Sequence, residues 1–274
     1  MDKIIRTLIC DGQVSLTVLD TRELVNEAIK IHNLSPSAAR ILGGLLTVCA
    51  CLSSAMKEDG CISVTVKAKD GDGSVSVSAD RDLHIRGFAD GSCEKSLIGG
   101  TMQVVREDGR SQPFVGACEI TSDDISDILA KYFGQSEQIA AAVCIETDIG
   151  ADGGCVFAGG VVMQLLPDAS ESAILKATEL FENFQNRNRA GEGEAVDAEK
   201  VFNAYFKTYS DGVTTTLFPV YKCNCSEGKI RGVLASVGKT ELLKIIDELG
   251  EVRVHCHYCN RDYVFGKDYI EENF

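Results

Sequence analysis

The sequence predicts an α+β fold: an N-terminal mixed domain of strands and helices, a helical linker and a small C-terminal metal-binding domain. Three observations indicate this organisation. Turn-forming pairs separate short apolar runs in the first part of the chain, amphipathic helical stretches follow, and close cysteine pairs occupy the last part. The length of 274 residues and the apolar content of 45% fit a protein with a sizeable buried core.

The first predicted domain covers residues 1–169. The pair Asp11-Gly12 favours a tight turn, so a hairpin is expected between strands at Ile4–Cys10 and Gln13–Leu19. Later apolar runs bounded by turn signals have the composition of further strands. These predicted strands are Ile62–Lys69, Ser74–Ala79, Ala140–Ile145 and Cys155–Leu166, with a turn at Asp70–Gly73.

Helix signals interrupt the strands of this domain. Ser35-Pro36 is typical of an N-cap followed by the first helical position, which predicts an apolar helix to about Met56. Thr21 is expected to cap an earlier helix that ends near His32. A third helix is predicted over Ser122–Phe133. Strands and helices therefore alternate without a fixed repeat.

The next segment, residues 170–218, is predicted to be a helical linker. Helical stretches are expected at Ala173–Asn186 and Asp197–Tyr209, on either side of a polar, glycine-containing segment. One face of the second helix is apolar at i, i+3, i+4 and i+7, which is typical of a stripe that packs against a core. The stripe is also a candidate cover that can be lifted from a surface, so both interpretations stay open. Its residues are Phe202, Tyr205, Phe206 and Tyr209.

Two close cysteine pairs mark the last predicted domain, residues 219–274. A C-x-C motif and a C-x-x-C motif lie 30 residues apart, with a helix expected near Thr240–Glu248 in the insert. Structural zinc binds four soft ligands in a tetrahedron, and two local chelating pairs provide them at modest entropic cost. Because a segment this small has little core of its own, the metal is expected to supply much of its folding free energy. We predict one Zn²⁺ per chain on Cys223, Cys225, Cys256 and Cys259.

Other interpretations of these cysteines are weaker. Buried inert thiols do not usually occur as two close pairs, and no βαβ pattern follows the C-x-x-C motif as a thioredoxin-like site requires. His255 and His257 could replace a sulfur ligand, but four cysteines already complete the coordination, so both are expected outside it. Four thiolates on one Zn²⁺ carry a formal charge of about −2. Nearby basic residues are expected to offset it: Lys222, Lys229, Arg231, Arg253 and Arg261.

A second C-x-C motif, Cys49-Ala50-Cys51, is not predicted to bind metal. It falls in the predicted apolar helix, where residues two positions apart differ by about 200° around the axis and their sulfurs face opposite sides. Core packing is the expected role. The same default applies to the remaining cysteines, which are Cys10, Cys61, Cys93, Cys118, Cys144 and Cys155.

Charge and hydropathy exclude several classes of function. The formal net charge is −14, from 27 basic and 41 acidic residues, which argues against nucleic acid as the main partner. No run approaches the roughly 18 consecutive apolar residues of a membrane span, and Met1-Asp2-Lys3 does not read as the start of a signal peptide. A cytoplasmic protein with reduced thiols is therefore expected.

The residues resemble the redox-regulated heat-shock holdases, the 33 kDa chaperonin family. The resemblance covers almost the whole chain and includes both cysteine pairs. Three further stretches match family signatures and together make the resemblance specific. They are Leu34–Ala39 (LSPSAA), Tyr132–Gln138 (YFGQSEQ), and Ala158–Gly160 leading to Gln164–Pro167 (QLLP).

The resemblance implies an ATP-independent cytoplasmic chaperone that is not an enzyme. Family members are inactive while reduced and zinc-bound; when oxidants attack the thiolates, the zinc is released and neighbouring cysteines pair. For this chain the resemblance implies disulfides Cys223–Cys225 and Cys256–Cys259, an unfolded linker and binding of unfolding client proteins. It also implies a homodimer in the activated state. The stripe thereby becomes a candidate client surface.

Two functions from other classes stay open at this point. A zinc-ribbon module that binds nucleic acid or a polymerase would share the paired cysteines, but residues 221–274 carry eight basic and nine acidic side chains, a net charge of −1. A thiol–disulfide oxidoreductase would require one attacking cysteine and turnover of a small disulfide substrate. The holdase is favoured over both.

Overall fold

The computed structural model confirms the α+β class and describes residues 1–57, 59–69, 73–91, 96–109, 112–189 and 197–274. The chain divides into two compact units, Met1–Tyr221 and Lys222–Phe274. Three predicted features lie outside the described residues: most of the turn at Asp70–Gly73, most of the polar segment between the linker helices, and Cys93.

The first unit combines strands with helices in an irregular order along the chain. Its strands are β1 Lys3–Ile9, β2 Val14–Asp20, β3 Cys61–Lys67, β4 Gly73–Asp80, β5 His84–Gly91, β6 Thr101–Glu107, β7 Phe114–Glu119, β8 Ala141–Ile149, β9 Cys155–Leu165, β10 Ser210–Leu217 and β11 Val220–Tyr221. Its α-helices are α1 Arg22–His32, α2 Pro36–Ser53, α3 Ile125–Tyr132, α4 Glu171–Arg189 and α5 Ala198–Val201.

These strands form two sheets. The five-stranded sheet has the order β10-β1-β2-β9-β8 and is antiparallel throughout. The six-stranded sheet has the order β11-β5-β4-β3-β6-β7, in which only the short β11 runs parallel to its neighbour among the described strands. The predicted β1–β2 hairpin is confirmed, with Ile9 opposite Val14. Cys10, Asp11 and Gly12 all have positive φ in its turn, so β1 ends one residue earlier and β2 begins one residue later than predicted.

Helix α2 lies in the main core between the two sheets. Leu42, Leu45 and Leu46 are fully buried, and they cluster with Ile4 of the five-stranded sheet and Val64 of the six-stranded sheet. Among the described helices α2 alone is long and apolar enough to span a membrane, but 78% of it is buried inside the fold, as in the core helix of a globular protein. The apolar composition of α2 is therefore accounted for by packing.

The predicted N-terminus of α2 is confirmed. The Ser35 hydroxyl accepts a hydrogen bond from the backbone N–H of Ala38 at 3.3 Å, and Pro36 occupies the first helical position. The helix ends at Ser53, a few residues before the predicted end near Met56. The third predicted helix is also shorter than expected, because α3 begins after its capping residue Asp124 and passes into a π-helical turn at Phe133–Glu137.

The predicted cap of α1 is wrong. The Thr21 hydroxyl makes no capping bond and instead contacts the Thr47 hydroxyl at 2.6 Å. The carboxylate of Asp2, just before the first strand, caps the helix, accepting the backbone N–H groups of Glu23 at 2.8 Å and Leu24 at 2.7 Å. A carboxylate satisfies two of the unpaired N–H groups at a helix start, and its negative charge suits the helix dipole.

The linker segment packs on the outer face of the five-stranded sheet. Helix α4 confirms the first predicted linker helix, and Phe181 and Phe184 on it join a second apolar cluster with Leu16, Val18 and Met163 of the sheet. Three residues of the stripe lie in the same cluster: its two phenylalanines are buried and Tyr205 is half-buried, whereas Tyr209 is 38% exposed and lies outside the cluster. In this structure the core-facing interpretation holds. That the stripe can be uncovered stays a prediction.

The second predicted linker helix, Asp197–Tyr209, is not one continuous α-helix. Four residues of α5 lead into a π-helical turn at Phe202–Phe206 and a 3-10 turn at Lys207–Tyr209. Packing of the aromatic side chains on the sheet overrides local helix propensity here. The chain then forms β10 beside β1, a strand that the sequence did not predict.

The second unit contains α6 Glu227–Val237, α7 Lys239–Leu249, β12 Val252–Cys256, β13 Arg261–Phe265 and α8 Lys267–Asn273. Helix α7 confirms the helix expected in the insert, whereas α6 was not predicted. The buried apolar cluster of this unit is small and consists of Leu234, Leu242, Ile246, Val252, Phe265 and Ile270. So little buried apolar area leaves much of the stability of this unit to other interactions.

Candidate metal centre

The C-x-x-C motif lies at the turn of the β12–β13 hairpin. Cys256 is the last residue of β12 and pairs with Arg261, so the hairpin brings the chain back within five residues. The carbonyl of Cys256 accepts the backbone N–H of Cys259 at 3.3 Å and that of Asn260 at 2.9 Å. Asn260 adopts the left-handed conformation, with φ of 53°, that asparagine tolerates better than most residues. This turn directs both thiols to one side.

The C-x-C motif lies on a non-helical segment just before α6. Ser226 follows it immediately and caps that helix, because its hydroxyl accepts the backbone N–H of Lys229 at 3.3 Å. The cap fixes where the helix begins and leaves the two cysteines outside it. Residues two positions apart on extended backbone face the same side, unlike their counterparts on a helix.

The structure brings all four predicted ligands together. The sulfurs of Cys223 and Cys256 are 3.7 Å apart, those of Cys225 and Cys259 are 3.4 Å apart, and all four lie within 4.8 Å of one another. A tetrahedron with metal–sulfur bonds of about 2.3 Å has sulfur–sulfur edges of about 3.8 Å. The arrangement therefore fits a four-coordinate ion that prefers thiolates, and zinc is the commonest such ion in proteins.

The closely spaced thiols differ in their pKa values. Burial and the neighbouring thiols raise the pKa of Cys223 to about 12, and burial raises the pKa of Cys259. Burial also opposes ionisation of Cys225, but hydrogen bonds from Tyr263 and the other thiols outweigh it and lower the pKa to about 7. The thiols bind a cation as thiolates and lose their protons when it binds, so metal affinity is expected to fall with falling pH.

One polar contact to the cluster was missed in the sequence. The Tyr263 hydroxyl lies 3.1 Å from the sulfur of Cys225. Tyr263 occupies the middle of β13, opposite Val254 of β12. Strand alternation places it on the same face as Arg261, but the sequence contains no signal that this face meets a segment 38 residues earlier.

The predicted basic residues have different roles. Arg253 is paired with Glu251 at 2.7 Å and with Asp262 at 3.3 Å, so acidic side chains take up its charge. Arg261 lies near the cluster: its hydrogen bond to Tyr263, together with the adjacent sulfurs of Cys225 and Cys259, raises the pKa of its guanidinium. Of these two arginines, Arg261 is the one whose charge acts on the sulfurs.

The two histidines beside Cys256 stay outside the four-thiol group. Nδ1 of His255 lies 2.7 Å from Asp262, and the ring of His257 packs edge-on against that of His255 at 5.3 Å between centroids. The group of possible metal ligands in this unit consists of the four cysteines. This agrees with the expectation that neither histidine replaces a sulfur.

Thiols of the first unit have a different environment. Cys49 and Cys51 are 0% and 5% exposed on α2, and burial raises the pKa of both, that of Cys51 to about 12. The remaining described thiols of this unit are also buried, except that Cys10 and Cys61 are half-buried. Core packing is thus confirmed for the second C-x-C motif.

A second group of possible ligands, Asp80, Asp82 and His84, lies in the turn between β4 and β5. One Asp80 oxygen accepts the backbone N–H groups of Asp82 at 3.0 Å and His84 at 3.1 Å, and the other contacts the His84 ring at 3.0 Å. These bonds stabilise the turn. The group is explained by local structure.

Comparisons with known proteins agree with the geometry. Residues 2–266 match the family model described as Hsp33 protein. A relative from Clostridium botulinum, strain Langeland, named 33 kDa chaperonin, is 31% identical over 98% of this chain and 96% of its own length. A second 33 kDa chaperonin, from Clostridium perfringens strain SM101, is 33% identical over 98% of this chain and 90% of its own length.

The solved structures include a similar fold. The crystal structure of a 33 kDa chaperonin from Thermotoga maritima superposes with a TM-score of 0.84 and 26% sequence identity. The match covers 99% of this chain and 97% of that chain. Both units described above therefore have counterparts in one experimentally determined molecule.

Proposed function

The chain belongs to the Hsp33 family of chaperones, and from that premise we propose that it is a redox-regulated, ATP-independent holdase. Reduced and zinc-bound, it is inactive; oxidised, it binds unfolding client proteins and prevents their aggregation. The four converging thiols carry the proposal. They form the group of described side chains suited both to holding a soft metal ion and to reversible oxidation.

The proposed ligands of one Zn²⁺ are Cys223, Cys225, Cys256 and Cys259. Their separations suit a tetrahedral site, and a bound Zn²⁺ favours the thiolate form of each. Apparent binding free energies of structural zinc sites are on the order of 10 kcal/mol. With its six-residue apolar cluster, the second unit depends on such a contribution to stay folded.

Oxidation would convert these ligands into disulfides. One peroxide oxygen is transferred to a thiolate, which gives a sulfenic acid and hydroxide; a neighbouring thiolate then displaces a second hydroxide and closes the disulfide. Two peroxide molecules thus oxidise four thiolates, and the disulfide sulfurs no longer hold the ion. The resemblance to the family implies the pairs Cys223–Cys225 and Cys256–Cys259. The close contacts between pairs, Cys223 to Cys256 and Cys225 to Cys259, make the crossed pairing a distinguishable alternative.

We divide the working molecule into a chaperone core at 1–169, a linker at 170–218 and a redox-switch domain at 219–274. The linker buries its aromatic stripe on the five-stranded sheet, and loosening it would expose Phe202 and Phe206 together with the sheet residues beneath. A newly exposed apolar surface of this kind binds unfolding proteins. The active form is proposed to be a homodimer in the cytoplasm, acting without nucleic acid or membrane.

The proposal is tested by measuring metal, thiols and chaperone activity in one sample. Reduced protein should contain one zinc per chain and fail to suppress aggregation of a heat-denatured client. Peroxide with mild heat should release the zinc, consume four thiols and produce suppression, and peptide mapping should identify the disulfides. Zinc release without suppression, or full suppression by reduced zinc-bound protein, would refute it. Salt-dependent RNA or DNA binding at physiological ionic strength would instead support the zinc-ribbon alternative.

A further inference from the structure

We propose that Tyr263 is a positioning residue of the metal centre: its hydroxyl, oriented by Arg261, holds the sulfur of Cys225 and protects it from oxidation. This inference rests on the proposed function and deepens it, because it assigns the sensitivity of the switch to a residue that is not a ligand. The Tyr263 hydroxyl lies 3.1 Å from the sulfur of Cys225, within the range of a hydrogen bond to sulfur.

The direction of each hydrogen bond is fixed by chemistry. The interaction of Arg261 with Tyr263 raises the pKa of the guanidinium, and because a guanidinium only donates, the phenolic oxygen is the acceptor in that interaction. A metal-bound thiolate carries no proton, so the phenol must donate its hydrogen to Cys225. Hydrogen bonds in a chain polarise one another, and a cation at the far end strengthens the bond that reaches the sulfur.

Two of the other sulfurs have backbone partners that a side-chain substitution does not remove. The backbone amide of Cys225 favours the thiolate of Cys223, and that of Arg261 favours the thiolate of Cys259, which lowers the pKa of each thiol against the effect of burial. Cys225 instead depends on a side chain from a distant strand. Removing a single atom, the phenolic oxygen of Tyr263, therefore changes the environment of the Cys225 sulfur without altering a ligand.

A hydrogen bond withdraws electron density from a thiolate and so lowers its reactivity toward an electrophilic oxygen. The relevant step is transfer of one peroxide oxygen to the sulfur, which leaves a sulfenic acid and hydroxide. Without the phenol, the sulfur of Cys225 is more nucleophilic than it is in the wild type. The bond also ties the C-x-C segment to the C-x-x-C hairpin, and losing such a partner of a ligand typically weakens metal binding about 10- to 100-fold.

The test compares zinc-loaded full-length wild type with Tyr263→Phe, using Tyr269→Phe as a matched control. Tyr269 loses a phenolic bond to Glu227 in the same unit without affecting a sulfur. We expect Tyr263→Phe to bind zinc about 10-fold more weakly in a chelator competition. It should release zinc several-fold faster in peroxide, with oxidation appearing earlier at Cys225 by peptide mapping. The control should match wild type.

A cobalt-substituted sample separates this role from simple packing. Loss of a hydrogen bond makes the thiolate a better electron donor, so the sulfur-to-cobalt charge-transfer band should shift to lower energy in Tyr263→Phe and, by less, in Arg261→Gln. An unchanged band together with unchanged zinc affinity would overturn the inference. Neither readout requires oxidation or a client. If wild type kept its zinc in peroxide, the proposed function would fail while the role of Tyr263 was still decided.

Discussion

The chain contains two C-x-C motifs, and their settings give the sulfurs different chemistry. Cys49 and Cys51 lie on the buried helix α2, are at most 5% exposed, and have pKa values raised by burial. Cys223 and Cys225 lie on a non-helical segment, where both sulfurs join a second pair within 4.8 Å. Because the two motifs have the same spacing, the difference shows that backbone conformation decides whether such a cysteine pair can contribute to a metal site.

The same contrast applies to the units that hold the motifs. The first unit is stabilised by two extensive apolar clusters, one between its sheets and one beneath the linker. The second has six buried apolar residues, so the proposed metal would supply a larger share of its stability. Removal of a thiol should therefore be a packing change in one unit and a folding change in the other.

The largest effect is expected when one cysteine of each motif is replaced by alanine in two separate variants. Cys223→Ala should abolish stoichiometric zinc binding and remove on the order of 10 kcal/mol of apparent metal-linked stability from the second unit. Cys49→Ala should cost about 1 kcal/mol, as is usual for a small core truncation, and leave zinc content unchanged. Zinc analysis and hydrogen exchange of the hairpin amides measure both. Equal zinc content in the two variants would contradict the prediction that only one of the two motifs binds metal.

A smaller effect is expected beneath the linker. Phe206 is fully buried, so Phe206→Ala should destabilise the packing of the linker by about 3–5 kcal/mol through the cavity it leaves. Tyr209, at 38% exposure, serves as the control, and Tyr209→Ala should change stability by less than about 1 kcal/mol. Limited proteolysis within 170–209 should accelerate in the first variant while zinc stays fully bound. Loss of zinc in parallel would show that packing and metal are not separable.

The smallest expected effect is that mild acid acts on the two units in opposite directions. Burial raises the pKa of Asp2 from 3.8 to about 6, although two backbone N–H bonds oppose the shift. A raised pKa in the folded state favours the protonated form, so this residue contributes stability below about pH 4 that is lost as the pH rises toward 6. The loss amounts to about 3 kcal/mol at most. In the second unit, protons compete with metal, so affinity falls as the pH falls.

Urea unfolding of wild type and Asp2→Asn at pH 4 and pH 7 isolates the contribution of Asp2 to the first unit. The difference in unfolding free energy, wild type minus variant, should be larger at pH 4. A zinc titration over the same range should show weaker binding at pH 4. Parallel stability curves for the two proteins would exclude Asp2 as the source of the pH dependence.

Local signals predicted the features that depend on neighbouring residues. The turn at Asp11-Gly12 and the cap at Ser35 both rely on contacts within a few positions, and both are present. The cysteine pairs were predictable because each pair is a local chelate and metal geometry supplies the distance between pairs. Helix α6 escaped prediction even though Ser226 is a favourable N-cap residue, since its mixed composition gives weak periodicity.

Features that depend on distant residues were not predictable. The cap of α1 comes from Asp2, about twenty positions upstream, and Thr21 is used to bond Thr47 instead. Strand β10 owes its conformation to β1, since its exposed, threonine-rich sequence carries no apolar alternation. Tyr263 likewise looks like an ordinary strand residue until the hairpin meets the C-x-C segment.

The register of the five-stranded sheet has a consequence for how the linker would move. Leu165 at the end of β9 lies opposite Val14, Val14 opposite Ile9, and Ile9 opposite Ser210 at the start of β10. The part of the linker before β10, residues 170–209, therefore leaves and re-enters the sheet in one row, across three strand spacings or about 14 Å. If this part detached while β10 stayed paired, it would remain a loop with both ends tethered, so most of the entropy of loop closure would already be lost. Re-docking would then be a fast intramolecular search, and the chaperone could return to its resting form by itself once its sulfurs are reduced.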